Sequence, residues 1–157
     1  MERIIKPMEK PQYKFREISA DDYEYIYRLK KEAYKEYVEL NFGPWDEVQQ
    51  RGFFERFFSV CKSRMFVITH NGANIGFYNY ETNDNCYEIG NICIIPEYRN
   101  KGIGTAILQD ILSENKDREV HLQYFKQNPV GTLYERLGFE RCGETNSHYK
   151  MIRMPER

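Results

Sequence analysis

Two rhythms of apolar residues run along this chain, one of period two and one of period three to four. Over 12–18, Tyr13, Phe15 and Glu17 alternate with Lys14, Arg16 and Ile18, which predicts an edge strand. Ser19-Ala20-Asp21-Asp22 supplies helix-capping chemistry, and Ile26, Leu29, Ala33, Tyr37 and Leu40 then recur at helical spacing to about Leu40. Asn41-Phe42-Gly43-Pro44 breaks that helix. A second starts after Trp45 with Asp46 as its candidate cap, and its Phe53/Phe57 and Phe54/Phe58 pairs put aromatic bulk on one side. Strands follow over 65–69 and 74–80, joined at the hairpin signal Asn71-Gly72, and again over 86–95, where Pro96 ends the run. A helix over 102–114 carries Ile103, Ile107, Leu108, Ile111 and Leu112 on its buried stripe. A strand over 119–125 alternates Val120, Leu122 and Tyr124 with His121 and Gln123. Asn128-Pro129 opens a short helix that Gly138 closes as a left-handed cap, and strands over 139–144 and 148–154 form a last hairpin turning at Asn146-Ser147.

The order β-α-α-β-β-β-α-β-α-β-β sets antiparallel hairpins beside two strand–helix–strand crossovers. It predicts an α+β fold on a mixed, mostly antiparallel sheet of about seven strands with about four helices, rather than a doubly wound sheet. At 157 residues the chain is long enough for one core, so a single domain over 12–157 is expected, preceded by an extended arm over 1–11 that contains Pro7 and Pro11.

Charge narrows the field of partners. Twenty-three Lys and Arg against 24 Asp and Glu leave a net charge of −1, which provides no basic field for nucleic acid or an anionic membrane. No stretch approaches the roughly 20 apolar residues of a membrane span, and residues 1–10 lack a signal-peptide core, so a cytoplasmic protein is the default. Cys61, Cys86, Cys93 and Cys142 show no metal-ligand spacing with His70, His121 or His148, so no metal is expected. Cys93, inside an apolar strand, reads as a small buried hydrophobe. The thirteen tyrosines suit pockets and cores equally.

The chemistry concentrates in residues 92–105, Ile-Cys-Ile-Ile-Pro-Glu-Tyr-Arg-Asn-Lys-Gly-Ile-Gly-Thr, an apolar run entering a basic, glycine-bearing turn that opens a helix. A first helical turn points unpaired N–H groups outward, and glycines let an anion approach, so this is a cradle for a pyrophosphate-bearing cofactor. The nucleotide-triphosphatase P-loop is excluded, because its spacing between glycines and its Gly-Lys-Ser/Thr end are missing. The dinucleotide fingerprint fails too, with Ile107 where its third glycine or alanine belongs.

What does fit is Arg/Gln-x-x-Gly-x-Gly/Ala after a strand, satisfied by Arg99-Asn100-Lys101-Gly102-Ile103-Gly104. On this motif the chain resembles the GNAT superfamily of acetyl-CoA-dependent N-acetyltransferases. Residues 128–139, Asn-Pro-Val-Gly-Thr-Leu-Tyr-Glu-Arg-Leu-Gly-Phe, resemble that family's late Asn…Leu-Tyr-x-x-x-Gly-Phe segment, and the element order matches over 12–154. Gly43-Pro44-Trp45-Asp46 and the Glu144-Thr145-x-x-His148-Tyr149 segment are most similar to a bacterial branch of the superfamily, although that branch carries an acidic residue where Cys93 stands and a basic one at Asn91.

The resemblance implies acetyl-CoA as co-substrate and a GNAT-like fold whose strands splay at the cofactor site. It implies that the strand around Ile94 and Ile95 binds the pantetheine arm and the thioester carbonyl. From the residues, the turn Asn100, Lys101, Gly102, Ile103, Gly104 and Thr105 holds the pyrophosphate, with Arg99 and Lys101 either adding charge-assisted contacts or standing as surface cations. Asn128 either contacts the cofactor or only caps its helix. Tyr134, the family's motif tyrosine, is the candidate acid, with a packed aromatic as the alternative. Glu88, early in the long strand, is the candidate base, with a solvent-facing strand residue as the alternative; His148 is a weaker candidate at a hairpin end. Glu36, Glu39, Asp46 and Glu47 would suit a cationic amine acceptor beside Trp45, or else form a solvated face. The expected activity is acetyl transfer to a primary amine of a small molecule or peptide, by a monomer or homodimer. A non-catalytic acyl-CoA-binding sensor of the same fold is the alternative, and a nucleotide-binding protein a third class.

Overall fold

A computed structural model describes residues 10–157; the arm expected over 1–11 lies, apart from Lys10 and Pro11, outside the described residues. β1 (Lys14–Glu17) leads through a short 3-10 turn into α1 (Tyr23–Phe42) and α2 (Glu47–Cys61). β2 (Met65–His70), β3 (Ala73–Thr82) and β4 (Cys86–Ile94) then form a meander. α3 (Ile103–Glu114), β5 (Glu119–Phe125), α4 (Gly131–Arg136), β6 (Glu140–Glu144) and β7 (His148–Arg153) complete the chain. The seven strands form one sheet in the order β1-β2-β3-β4-β5-β7-β6, in which β4 and β5 are the parallel pair.

Local chemistry sets the boundaries. Asp22 accepts from the Ser19 N–H at 2.9 Å and holds Arg16 through two bonds of 3.0 and 2.9 Å, which fixes the entry to α1. The Asp46 carboxylate accepts from the Gln49 N–H at 2.9 Å and caps α2. Asn71 and Gly72 take φ of 49° and 82°, as a two-residue hairpin with both central residues left-handed requires. Gly138, at φ 96°, ends α4 with Gly138 N–H to Glu135 C=O at 3.0 Å and Phe139 N–H to Tyr134 C=O at 3.1 Å, the paired bonds of a Schellman cap.

Three expectations shift. The short late helix starts at Gly131, because Asn128 Oδ1 first accepts from the Val130 N–H at 3.1 Å and spends a turn before the helix begins. The second crossover does not bring neighbouring strands together, since β7 lies between β5 and β6. The phenylalanine pairs of α2 divide instead of sharing one side: Phe54 is 3% exposed and Phe53 49%.

Two cores flank the sheet. Ile26, Tyr27 and Leu29 of α1 and Phe54 of α2 pack with Met65, Val67, Phe77 and Cys93 on one face. Ile103, Ile107, Ile111 and Leu112 of α3 pack with Ile89, Val120, Leu122 and Phe139 on the other, joined by Leu133 and Tyr134 of α4 and by Leu137 just after it. Each buried aliphatic side chain contributes on the order of 1.5–3 kcal/mol.

A bulge in β4 positions the site. Asn79 pairs with Asn91 and Tyr80 with Ile89, so Gly90 is the extra residue. A Cβ on Gly90 would lie 2.4 Å from Asn79 Nδ2, which leaves glycine as the residue that fits. The β4–β5 ladder runs through Cys86/Glu119, Tyr87/Val120 and Glu88/His121 and stops before this bulge. Beyond it the two strands part.

Candidate active site

The parting strands turn polar main chain into an opening. The Ile95 N–H donates to the Ile75 C=O at 2.8 Å, which marks residues 75 and 95 as a hydrogen-bonded pair. Strict alternation along the antiparallel ladder then directs the main-chain groups of Ile94 and Ile92 away from β3 and into the gap. The Ile94 carbonyl accepts from Arg99 Nε at 2.7 Å, while its N–H faces the opening. Ile95, expected at the cofactor, has both groups engaged within the chain, its carbonyl accepting from the Tyr98 N–H at 3.0 Å.

Next to this gap α3 begins without a side-chain cap. Asn100 (φ 61°) and Gly102 (φ 82°) turn the chain, and the first intrahelical bond runs from the Ala106 N–H to the Gly102 C=O at 2.9 Å. The N–H groups of Ile103, Gly104 and Thr105 therefore have no partner among the described residues, a concentration of positive partial charge. A Cβ on Gly104 would meet only Ile94 Cδ1, at 3.6 Å, so the space between this turn and the end of β4 is open. The cations sit on the rim. Arg99 reaches across to Glu32 of α1 at 2.6 Å, and Lys101 lies 5.3 Å from the Tyr98 ring centroid.

A cleft of about 1210 Å³ joins the Arg99–Asn100 turn to the α1–α2 face through the gap, and Glu88, Tyr134, Asn128 and His148 all line it. Tyr134 packs its ring 5.6 Å from Tyr124 and 5.9 Å from Phe139, and its hydroxyl has no hydrogen-bond partner among the described residues. Burial pushes that phenol up to about 12. Glu88 is exposed beside its ladder partners Glu81 and His121; Glu81 is held by Arg64 at 2.9 Å, and His121 bonds Glu119 at 2.9 Å. His148 stacks 4.1 Å from Phe125 and bonds Ser147 Oγ through Nδ1 at 2.7 Å, and burial lowers its pKa.

Of the four carboxylates expected to meet a cationic acceptor, three serve the α1–α2 connection. Glu39 accepts from the Trp45 N–H at 3.1 Å and pairs with Lys35, and Asp46 caps α2. Glu47 accepts from Lys31 at 2.9 Å, Trp45 Nε1 at 2.8 Å and the Tyr27 hydroxyl at 2.9 Å, which draws its pKa down to about 2. Glu36 lines the cleft with no ion-pair partner among the described residues.

Several cleft residues escaped the sequence reading. The Tyr34 hydroxyl donates to Asn91 Oδ1 at 2.8 Å and lies 3.7 Å from Cys93 Sγ, and Asn91 Nδ2 donates to Asn79 at 2.7 Å. This chain ties α1 to the bulge. Asparagine within otherwise apolar strands was its visible signal; nothing in spacing singled out Tyr34. Cys93 is buried as expected, and desolvation pushes its thiol up to about 11.

The chain belongs to the acetyltransferase (GNAT) domain family, whose model matches residues 61–141. It is 26% identical over 136 residues to the [ribosomal protein bS18]-alanine N-acetyltransferase of Haemophilus influenzae, covering 85% of each chain. It is 34% identical over 74 residues to the UPF0157 protein YqkA of Bacillus subtilis, a match that spans 46% of this chain and 22% of that protein. Its fold is similar to that of the PaiA N-acetyltransferase from Thermoplasma acidophilum, solved in complex with coenzyme A, with a TM-score of 0.67 and 21% identity over 91% of this chain and 99% of that one. Among the described residues no helix is long and apolar enough to cross a membrane, and no group of three or more His, Cys, Asp or Glu is placed to hold a metal ion.

Proposed function

We propose that residues 12–157 form one catalytic domain, in a cytoplasmic enzyme, that transfers an acetyl group from acetyl-CoA to a primary amine of a small molecule or peptide, by direct attack with both substrates bound. One observation carries this reading: the uncapped N-terminus of α3 opens beside a gap in the sheet into which the main chain of Ile92 and Ile94 points. Relatives named as N-acetyltransferases and a similarly folded coenzyme A complex support it.

Acetyl-CoA supplies an activated acetyl thioester. The N–H groups of Ile103, Gly104 and Thr105 hold the pyrophosphate, with Asn100, Lys101 and Gly102 shaping the turn. The Arg99–Glu32 pair is solvent-exposed on both sides and worth only about 0–1 kcal/mol, so the guanidinium can exchange Glu32 for a phosphate. The Ile94 N–H donates into the gap, where a fixed donor in a sheltered site stabilises charge on a carbonyl oxygen. The amide of Asn128, whose oxygen is already engaged by Val130, leaves its nitrogen free to face the arm. Tyr134, protonated throughout the neutral range, holds a proton at the gap for a departing thiolate. Glu88 takes the proton of the incoming ammonium, directly or through water. Cys93, with a thiol pushed up to about 11, stays protonated and is a poor nucleophile, which favours direct transfer over an acyl-cysteine route.

The test is a panel of polyamines, amino acids, amino sugars and short peptides offered with acetyl-CoA to the purified chain, read by thiol release and by mass spectrometry of the product. Amine-dependent release is expected. CoA binding with no amine-dependent release by any acceptor would overturn the enzyme reading in favour of a cofactor sensor.

A further inference from the structure

Lys30 differs from the other cations of the cleft. Lys31 is paired with Glu47 at 2.9 Å and Arg99 with Glu32 at 2.6 Å. The Lys30 ammonium instead lies 4.0 Å from the Phe57 ring centroid, inside the cleft, with no carboxylate partner among the described residues. Its titratable neighbours are the thiols of Cys93 and Cys61, both protonated and uncharged at neutral pH, and desolvation lowers its pKa. Lys30 is half-buried, so its ammonium loses part of its hydration without gaining a carboxylate in exchange. An alkyl side chain would also pack against Phe57, so packing alone does not call for a charge here.

The position of this charge is informative. Tyr34 follows Lys30 by four residues, roughly 6 Å along α1, and its hydroxyl touches Cys93, the neighbour of Ile94. An anion held at Lys30 therefore lies in the same cleft as the gap where the acetyl group is to be transferred. Glu36 and Glu88, exposed and lining the same cleft, offer the complementary charge to an ammonium.

We infer that the acceptor is a small zwitterion, a short α- or ω-amino acid whose carboxylate pairs with Lys30 while its amine faces the Ile94 N–H. This rests on the N-acetyltransferase reading and adds the acceptor's second functional group. In the reaction the ammonium gives one proton to Glu88 and on to solvent, the free amine nitrogen forms the amide bond as the thioester C–S bond breaks, its second proton leaves with the thiolate as the thiol, and the carboxylate is unchanged.

Matched acceptors decide it: glycine, β-alanine, 4-aminobutyrate, 5-aminovalerate and L-alanine, each against its carboxamide. The wild-type chain should prefer at least one acid over its amide by tenfold or more in kcat/KM. Lys30→Met, which keeps the contact with Phe57, should bring that ratio toward one by raising KM with little change in kcat, and Lys30→Arg should restore part of it. CoA affinity by calorimetry should not move, and the melting temperature should not fall. Binding of the product acids N-acetylglycine and N-acetyl-4-aminobutyrate to the CoA-saturated chain reads the same contact without turnover, and Lys30→Met should abolish it. Amides used as well as acids, a ratio unchanged in Lys30→Met, or no binding of either product acid would overturn the inference. Acetylation of carboxylate-free amines alone would defeat the inference and leave the enzyme reading standing, whereas an absence of CoA binding would defeat the enzyme reading itself.

Discussion

Replacing Tyr134 with phenylalanine removes one oxygen and leaves the ring where Tyr124 and Phe139 hold it, at 5.6 and 5.9 Å. A buried hydroxyl that donates a hydrogen bond typically contributes about 1 kcal/mol to stability. The Tyr134 hydroxyl has no partner among the described residues, so its loss should change stability by no more than about 0.5 kcal/mol. At about 2–4 °C per kcal/mol for a chain of this size, the melting temperature should move by about 2 °C at most. Activity should respond very differently. A positioned general acid is worth about 10²–10⁴ in rate, which is on the order of 3–5 kcal/mol of barrier. Because burial holds this phenol at about 12, it remains an acid across the working range, and the deficit of Tyr134→Phe should be level from pH 7 to pH 10. Continuous thiol detection at saturating amine, beside thermal melts of both proteins, measures both effects. A variant with full kcat and a melting temperature several degrees lower would show that Tyr134 is a packed core aromatic.

Two further perturbations follow from the geometry. Glu47 has a folded pKa of about 2 against an ordinary 4.5, so it contributes stability that is complete above about 4.5 and is lost as pH falls toward 2. Glu47→Gln should flatten the acid limb of the melting temperature in that window, and an unchanged limb would contradict the assignment. Gly102 and Gly104 should respond with opposite signs in urea denaturation. Gly102→Ala forces a left-handed alanine and should destabilise by about 1–2 kcal/mol, whereas Gly104→Ala adds a methyl in ordinary contact with Ile94 and should stabilise by about 0.4–1 kcal/mol. Shifts of the same sign would refute the cradle geometry.

The sequence carried the fold to near-residue accuracy wherever the signal was local. Period, caps and glycine turns placed α1, α2, α3 and the Asn71-Gly72 hairpin, because each depends on neighbours a few residues away. Long-range pairing was less legible: that β7 would slip between β5 and β6 is a tertiary outcome with no local mark. The uncapped, glycine-bearing turn that opens α3 was readable because glycine and a helix start are both visible in one dimension. The acceptor side was not. Glu39, Asp46 and Glu47 have the composition of a cation site, yet each is engaged across the α1–α2 connection, and composition does not reveal which carboxylates are already paired. Lys30 shows the converse, an ordinary lysine in sequence whose isolation appears only once α2 is folded over it.

In the proposed complex, main-chain donors at the start of α3 grip the diphosphate of coenzyme A while the β4–β5 gap takes its arm. Titration calorimetry with CoA, and separately with pantetheine, which shares the arm but lacks the diphosphate, tests it most directly. Saturable CoA binding is expected, with at least hundredfold weaker binding of pantetheine. Equal affinity for the two, or no heat with CoA, would contradict it.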